Sequence, residues 1–568
     1  MAATTDEGLT PTTGRGGSRR RWFALGFMSL GVSMVMIDAT IINVAIPVIS
    51  ADLSLTPTDI EWVNSIYSLV FASLLIIAGK AGDVLGRRLI FMLGAAIFLV
   101  SSLIAARANA GEVLILGRFI QGIGGAMMIP ASLSLLNTLF RGRERGIAFA
   151  VWGATIGCVA AIGPLLGGFL TTNFSWRWAF LINLPIAIAL VVGTLLFVPE
   201  SKDENAKRGV DVVGVIASAL ALGGFVFALI EGQRYGWLTS VNNPKLGGFD
   251  WTWSVSPAAV AFVVAAVAAY TFIAVEKRRA RAGKVVLLDL DLFKIPSFTW
   301  GQVVGMLIMF GEFGILLTMP LFLQNVLGYS AIHTGAILAM VMVGALVSTP
   351  PSGRLVNKWG ALAVVRIGLS LELLGMLGLA WSYSVDATTW SFVPWLLLFG
   401  MGVGLSTAQI TNVVLNDVPV HKGGQASGTQ SATRQIGVAL GVAVLGAVLW
   451  ISLANNLDRD LEARPGVTVT EAREVTDRVV NSAGTALPGL RASDPELAAV
   501  ADQSYTDATR LSTFVGGAFL FFGLLATFAV RPSNAPKRDS ELDAGPDPEP
   551  SGDDPDAPGD VSNKAATI

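Results

Sequence analysis

Cysteine and histidine are almost missing from this 568-residue chain: there is one cysteine, Cys158, and two histidines, His333 and His421. A single thiol cannot build a disulfide framework, and three soft side chains leave no ligand set for zinc or an iron–sulfur cluster, so no metal is expected. With one histidine in a predicted loop and the other at the edge of an apolar run, no Ser-His-Asp or Cys-His catalytic set is credible. No G-x-x-x-x-G-K-[ST] phosphate loop occurs. The glycine-rich runs lie inside apolar stretches, not between a strand and a helix, so no nucleotide or other cofactor is expected. Charge is scarce too: 14% of residues are Asp, Glu, Lys or Arg, against about 25% in soluble domains. An enzyme is therefore not expected, and any work the protein does must draw on an ion gradient or on the gradient of its substrate.

What fills the chain is apolar sequence. Hydrophobic residues make up 53% of it, and mean hydropathy is +0.62. A bilayer core of roughly 30 Å needs about 20 apolar residues as helix, because backbone groups in lipid must pair within their own segment. Runs of that kind fall near 22–46, 60–79, 89–106, 112–138, 147–170, 178–198, 211–231, 255–275, 298–323, 331–350, 361–383, 391–415, 430–453 and 510–530. The gaps after the second, fourth, sixth, eighth and tenth runs hold the cations. They carry Lys80, Arg87 and Arg88; Arg141, Arg143 and Arg145; Lys202, Lys207 and Arg208; Lys277, Arg278, Arg279, Arg281, Lys284 and Lys294; and Arg354 and Lys358. The other gaps are nearly free of Lys and Arg up to 454–509, which is balanced by acids. By the positive-inside rule both termini are cytoplasmic, in a plasma or inner membrane.

Residues 1–21 are polar and end in Arg19, Arg20 and Arg21, and the apolar run after them is too long for a cleavable signal. From Pro532 onward the tail carries nine acids against three bases. The ends are rich in Gly, Pro, Ser and acids and are expected to be disordered. Segment 454–509 reads as an extracytoplasmic loop with local helix starts, Thr470 before Glu471 and Asp494 before Pro495. One internal echo sets the layout: Gly79, Lys80, Asp83 and Gly86 between the second and third runs recur as Gly353, Arg354, Asn357 and Gly360 between the tenth and eleventh. Six spans, two inserted spans and six more align them. The division is then 1–21, a disordered N-terminus; 22–198, a six-helix bundle; 199–297, two inserted helices with linkers; 298–530, a second six-helix bundle containing loop 454–509; and 531–568, a disordered acidic tail.

Several motifs carry chemistry. Gly79, Asp83, Gly86, Arg87 and Arg88 form a tight turn in which the glycines admit close helix ends and Asp83 can cap a helix or pair with an arginine. In the first span Asp38 stands alone among apolar residues, and in the fourth Arg118 precedes Gln121, Gly122, Gly124 and Gly125. By helical rise Arg118 lies roughly 9 Å and Asp38 roughly 13 Å below the outer surface, close enough in depth to share a site. A carboxylate so placed can load and release a proton, or it can stay paired to Arg118 and hold helices together. The fifth span carries Gly153, Gly157, Gly163, Pro164, Gly167 and Gly168, a packing face with a proline bend. Trp176 and Trp178 suit an interfacial belt. Glu312 and Glu372 lie near mid-membrane and, with Gln121, are candidates for a substrate cavity; each glutamate can equally be a structural hydrogen-bonding residue.

In this order the motifs resemble those of the major facilitator superfamily, from Trp22 to about Arg531. The turn at Gly79 to Arg88 is similar to its loop signature. The Arg118 stretch is similar to its second motif, whose arginine is implicated in proton coupling. The Gly-Pro-x-x-Gly-Gly element resembles the antiporter motif, and Asp38, the 176–185 stretch, Gly424-Gln425-Ala426 and Arg434-Gln435 look like the fourteen-span drug:proton antiporter branch. The resemblance implies an all-α integral membrane protein of fourteen transmembrane helices, two six-helix bundles plus two inserted helices. It implies alternating access in which Asp38 exchanges a proton, Arg118 adjusts it, and Asp83, Arg87 and Arg88 latch the cytoplasmic side, the echo with Asn357 making a weaker second latch. The implied activity is multidrug efflux, the export of amphipathic, often cationic, drug-like molecules. An exporter of lipid or glycolipid, or of a self-made antibiotic or metabolite, stands beside it, with a membrane enzyme or channel as the reading from another class. The expected partners are a small-molecule substrate, protons and membrane lipids, with no nucleic acid, and the chain is expected to work as a monomer.

Overall fold

A computed structural model describes residues 15–530 of the chain, apart from 54, 56, 203–210, 242–244, 247–248, 420–421, 465–466, 483 and 485. Most of the two ends expected to be disordered, together with Lys207 and Arg208, lies outside the described residues. The first apolar run extends backwards from the expected start at Trp22: α1 spans Arg15–Leu53 and carries the arginines of the polar N-terminus in its first turns. It is followed by α2 (Pro57–Leu85), α3 (Arg87–Ala106), α4 (Gly111–Leu139) and α5 (Gly142–Asn173). The sixth span is divided into a short α6 (Trp178–Leu181) and α7 (Asn183–Phe197). The inserted pair is α8 (Val212–Tyr235) and α9 (Pro257–Arg281), with a two-residue antiparallel pairing of Lys245–Leu246 with Phe249–Asp250 in the loop between them.

The second bundle holds α10 (Pro296–Asn325), α11 (Ala331–Trp359), α12 (Ala361–Ser382), α13 (Thr389–Asn416) and α14 (Gly423–Glu462). Then come α15 (Val469–Asn481), α16 (Leu487–Ser493) and α17 (Pro495–Ala526). Among the described residues, 13 helical stretches are long and apolar enough to cross a membrane. The remaining expected span, 147–170, falls within the 32 residues of α5.

Both ends of the bundle's chain lie on one side. Arg21 of α1 pairs with Glu144 at the start of α5, and Arg366 at the start of α12 donates to the Thr527 carbonyl just past α17. The two halves meet there along two seams, α2 against α14 and α5 against α11 and α13. The inserted α8 lies over the first seam. Its Val226 and Leu229 pack with Ala72 of α2 and with Ala439 and Ala443 of α14.

The 454–509 segment departs from the loop expectation. With 40 residues α14 is about 60 Å long, twice the bilayer core, and its last turns stand clear of the apolar slab. Together with α15, α16 and the start of α17 it builds a small helical cap around Leu457, Leu461, Ala472, Val475, Val479 and Leu490, all buried. Its apolar residues form one stripe per helix, which reads as polar sequence when averaged over a membrane-length window. Asp494 caps α17 through the Glu496 and Leu497 amides with Pro495 in the first turn, as the sequence predicts, whereas α15 is capped by Thr468 and not by Thr470. Arg491 fastens the cap, with both Asp502 oxygens as acceptors and the carbonyls of Asn325 and Val326 at the end of α10.

Candidate functional site

Asp38 sits in the C-terminal half of α1 with no exposed surface, and Arg118 of α4 meets it at 2.5 Å from Nη1 to Oδ2. One helical turn on from Arg118, Gln121 shares its face. It accepts from Arg118 Nη1 at 3.0 Å and donates from Nε2 to Asp38 Oδ1 at 2.9 Å. Two further helices close the ring. Asn183, in the first turn of α7, donates to Asp38 Oδ1 at 3.0 Å, and both Asn183 and Gln121 donate to the Ser102 hydroxyl of α3. Arg118 also donates from Nε to the Val63 carbonyl and lies 4.4 Å from the centre of the Tyr67 ring, both on α2. Five helices thus contribute to one buried polar knot. Among the described residues, every contact to the Asp38 oxygens comes from an N–H donor, so the site as folded fits the carboxylate and compensates the cation beside it.

Close helix approach makes the knot possible. A Cβ on Gly124 would lie 2.7 Å from the Gly94 carbonyl oxygen and 2.9 Å from the Phe98 nitrogen, so α4 lies against α3 where Ser102 reaches Gln121. On the other side of α1, a Cβ on Gly163 would lie 1.8 Å from the Thr40 hydroxyl. This glycine of the fifth-span motif therefore seats α5 against the turn of α1 that carries Asp38. Gly153 and Gly167 are buried as well. The side-chain surroundings of Gly157, Pro164 and Gly168 lie outside the described residues.

Of the residues expected to form a latch, Gly79 and Asp83 lie on the seam between the halves. Asp83 pairs with Arg87 at 2.8 Å, and its two oxygens accept the backbone amides of Gly424 at 2.8 Å and Gln425 at 2.9 Å. An acid from α2 thereby caps the N-terminus of α14, where unpaired N–H groups and the positive end of the helix dipole favour a negative charge. Gly424 and Gln425 precede the thirteenth apolar run in the sequence; here they form the first turn of α14. Gly79 lets the helices touch, since a Cβ there would lie 2.3 Å from the Gly424 carbonyl oxygen. Gly86 has φ 123°, a backbone shape that favours glycine, and precedes α3. Arg88 faces away from the seam. Its amide and that of Leu89 are held by Glu200, and its guanidinium donates to the Leu195 carbonyl.

The echo makes a different contact. Asn357 donates to the Gly353 carbonyl of its own helix and, among the described residues, caps nothing across the seam. Gln409 and Arg145 bridge the halves there, Gln409 to the Gly146 carbonyl at 3.1 Å and Arg145 to the Asn412 carbonyl at 3.5 Å.

The three candidate cavity residues are walled in. Gln121 belongs to the Asp38 knot. Glu312 of α10 is 8% exposed and accepts the Thr407 hydroxyl at 2.6 Å, while Glu372 of α12 is 0% exposed and accepts the Ser406 hydroxyl. Trp176 is buried and donates to Asp52, with Arg177 stacked on it, so only Trp178 has the exposure of a belt residue. Sequence reading passes over Ser102, Asn183, Ser406 and Thr407 as site residues. Asn183 carried a signal, being the one amide in an otherwise apolar stretch; the hydroxyls carried none.

Comparison with known proteins identifies the family. The family model described as Major Facilitator Superfamily matches residues 28–212 and 211–442. The chain is 31% identical over 532 residues to the multidrug resistance protein Stp of Mycobacterium tuberculosis, covering 92% of this chain and 95% of that protein. It is 34% identical over 444 residues to the probable actinorhodin transporter of Streptomyces coelicolor, covering 76% and 73%. With the tetracenomycin C resistance and export protein of Streptomyces glaucescens it shares 30% identity, over 94% and 95%. Two solved structures share the fold: the human organic anion transporter MFSD10, with TM-score 0.54 and 13% identity over 88% of this chain and 99% of that one, and the proton:xylose symporter XylE, with TM-score 0.51 and 14% identity over 89% and 96%. The chain is a membrane transporter belonging to the Major Facilitator Superfamily, of its drug-efflux type.

Proposed function

We propose that this transporter exports amphipathic, often cationic, small molecules in exchange for protons, with the side of the termini facing the cytoplasm. The observation that carries this reading is the Asp38–Arg118 pair, buried at 2.5 Å within the first half and joined one to one. A carboxylate that is fully compensated in one conformation and opened to water in another binds a proton in one and not in the other, which is the requirement for coupling. Opening the far side separates α1 from α4 or floods the knot; protonation of Asp38 then releases Arg118. The Asp83–α14 contact closes the terminal side while that happens, and breaking it lets the halves rock.

The relatives named for actinorhodin and tetracenomycin C favour a second substrate reading within the same mechanism, export of an antibiotic made by the producing cell. Purified protein in liposomes with an imposed pH gradient tests the proposal. Gradient-driven efflux of ethidium is expected, lost in Asp38→Asn while the variant keeps its fold by circular dichroism. Undiminished efflux in that variant removes Asp38 from coupling. Lipid movement independent of dye favours a lipid or glycolipid exporter.

A further inference from the structure

The second half holds a buried acid site that the Asp38 mechanism does not use, and its charges do not balance. Glu372 on α12 has no exposed surface, and Glu312 on α10 almost none. Adjacent residues of α13 serve them: Ser406 donates to Glu372 Oε1, and Thr407 donates to Glu312 Oε1 at 2.6 Å. Glu372 Oε2 has no hydrogen-bond partner among the described residues. The side chain is held there by shape. A Cβ on Gly402 would lie 2.6 Å from the Glu372 Cγ, so the absence of a side chain at 402 lets Glu372 lie along α13.

The two glutamates interact electrostatically, and the cation that acts on Glu312 is Arg434 of α14, half-buried, with its guanidinium 5.9 Å from the Trp152 ring centre on α5 of the first half. Arg366, nearly two turns before Glu372 on α12, is taken up by the Thr527 hydroxyl and carbonyl, and the helices packed around the pair add no other charge. Within their spans, α13 carries no charged residue, α17 none between Arg510 and Ala526, and α11 none between His333 and Arg354. Two carboxyls therefore share one guanidinium, whereas Asp38 and Arg118 stand one to one.

An ionised carboxylate without a cation or a full set of donors is expelled from an apolar interior or takes up a proton. We infer that Glu372 carries a proton in this conformation and is a second proton-transfer site, so that each transport cycle moves two protons, one through each half. This inference rests on the proton-exchange reading above. In balance, the O–H bond of the Glu372 carboxylic acid breaks when the terminal side opens and its proton passes to water there. The carboxylate is then compensated by the approaching cationic substrate or by Arg434, and a proton from the opposite side restores the acid after the substrate leaves. Two protons entering for one monovalent cation leaving carry one net charge across the membrane, whereas one proton for one cation carries none.

Two measurements on the full-length protein test this. The first is infrared difference spectroscopy of wild type, Glu372→Gln and Asp38→Asn. The wild type is expected to show a carboxylic-acid C=O band that shifts in deuterium oxide, and Glu372→Gln to lose one carboxyl's worth of it while Asp38→Asn retains it. An unchanged band in Glu372→Gln overturns the inference whether or not that variant transports. The second is ethidium export from liposomes under a clamped membrane potential. Wild type is expected to respond to both potential and pH gradient, and Glu372→Gln to the pH gradient alone. Equal response to potential in the two proteins overturns the second proton. Loss of pH-driven export in Asp38→Asn is read separately, so the coupling role of Asp38 and that of Glu372 stand or fall independently.

Discussion

The carboxylate of Asp83 accepts the backbone amide of Gly424 at 2.8 Å, joining α2 of the first half to the first turn of α14 in the second. Asp83→Asn keeps one acceptor but loses the charge that favours this helix end, and a hydrogen bond to a charged group contributes about 2 kcal/mol. The closed-to-open equilibrium of the terminal side is then expected to shift roughly thirtyfold toward open. Gly79→Ala attacks the same contact without touching charge, because its Cβ would lie 2.3 Å from the Gly424 carbonyl oxygen. Alkylation of a cysteine placed at the buried Ser431, in a Cys158→Ser background, is expected to accelerate in both variants. An unchanged rate in both would mean that this contact does not close that side.

The Asp38–Arg118 pair is tested by a double-mutant cycle. Removing one member of a buried pair leaves the other charge uncompensated, at a cost of about 3–5 kcal/mol. Arg118→Leu is therefore expected to lower the thermal midpoint sharply. Asp38→Asn with Arg118→Leu should recover most of that loss, because Gln121, Asn183 and Ser102 still satisfy one another. Additive losses in the double variant would show that the two side chains do not depend on each other.

A pH effect is expected at the α9–α10 linker. Burial works against the Asp289 carboxylate, but the Lys422 ammonium at 2.5 Å and the Asp291 amide outweigh it and hold its pKa below the usual value. A folded-state pKa below that of the unfolded chain, about 3.9, gives stability that is present above it and lost as pH falls through the folded value. The thermal midpoint is expected to drop between about pH 5 and the folded-state pKa, and that portion of the drop should vanish in Lys422→Ala. The backbone of Asp289 also donates to Gln425, so loosening this pair loosens the start of α14 beside the Asp83 contact. An identical acid profile in Lys422→Ala would assign the loss to other groups.

Much of this was readable from residue type and period. Asp38 and Arg118 stood out because a charge in an apolar run needs a partner, and helical rise put them at similar depth. Asp83 stood out because an acid between glycines at a span end is suited to cap a helix, although which helix it caps depends on a residue more than three hundred positions away. At Asn357 the echo lacks the charge of Asp83, and its amide bonds its own helix. Asn183 was visible only as a motif member, and Ser102 not at all, since a serine in an apolar helix usually bonds its own carbonyls. The 454–509 cap was legible at Asp494 and Pro495 and lost elsewhere, because its helices bury narrow stripes that hydropathy averaging dilutes.

Local composition and the need to pair backbone groups in lipid are enough to place this chain in a membrane as a bundle of long helices and to pick out the few charged groups it carries into the apolar region. Three-dimensional packing alone puts Asp38 in a polar knot drawn from four helices besides its own, carries Asp83 across to α14, and gives Glu372 one hydroxyl among the described residues where Asp38 has three N–H donors. Those outcomes depend on how closely helices approach and how they rotate, which is fixed by glycine contacts such as Gly124 on Gly94, Gly163 on Thr40 and Gly402 on Glu372 between residues far apart in the chain.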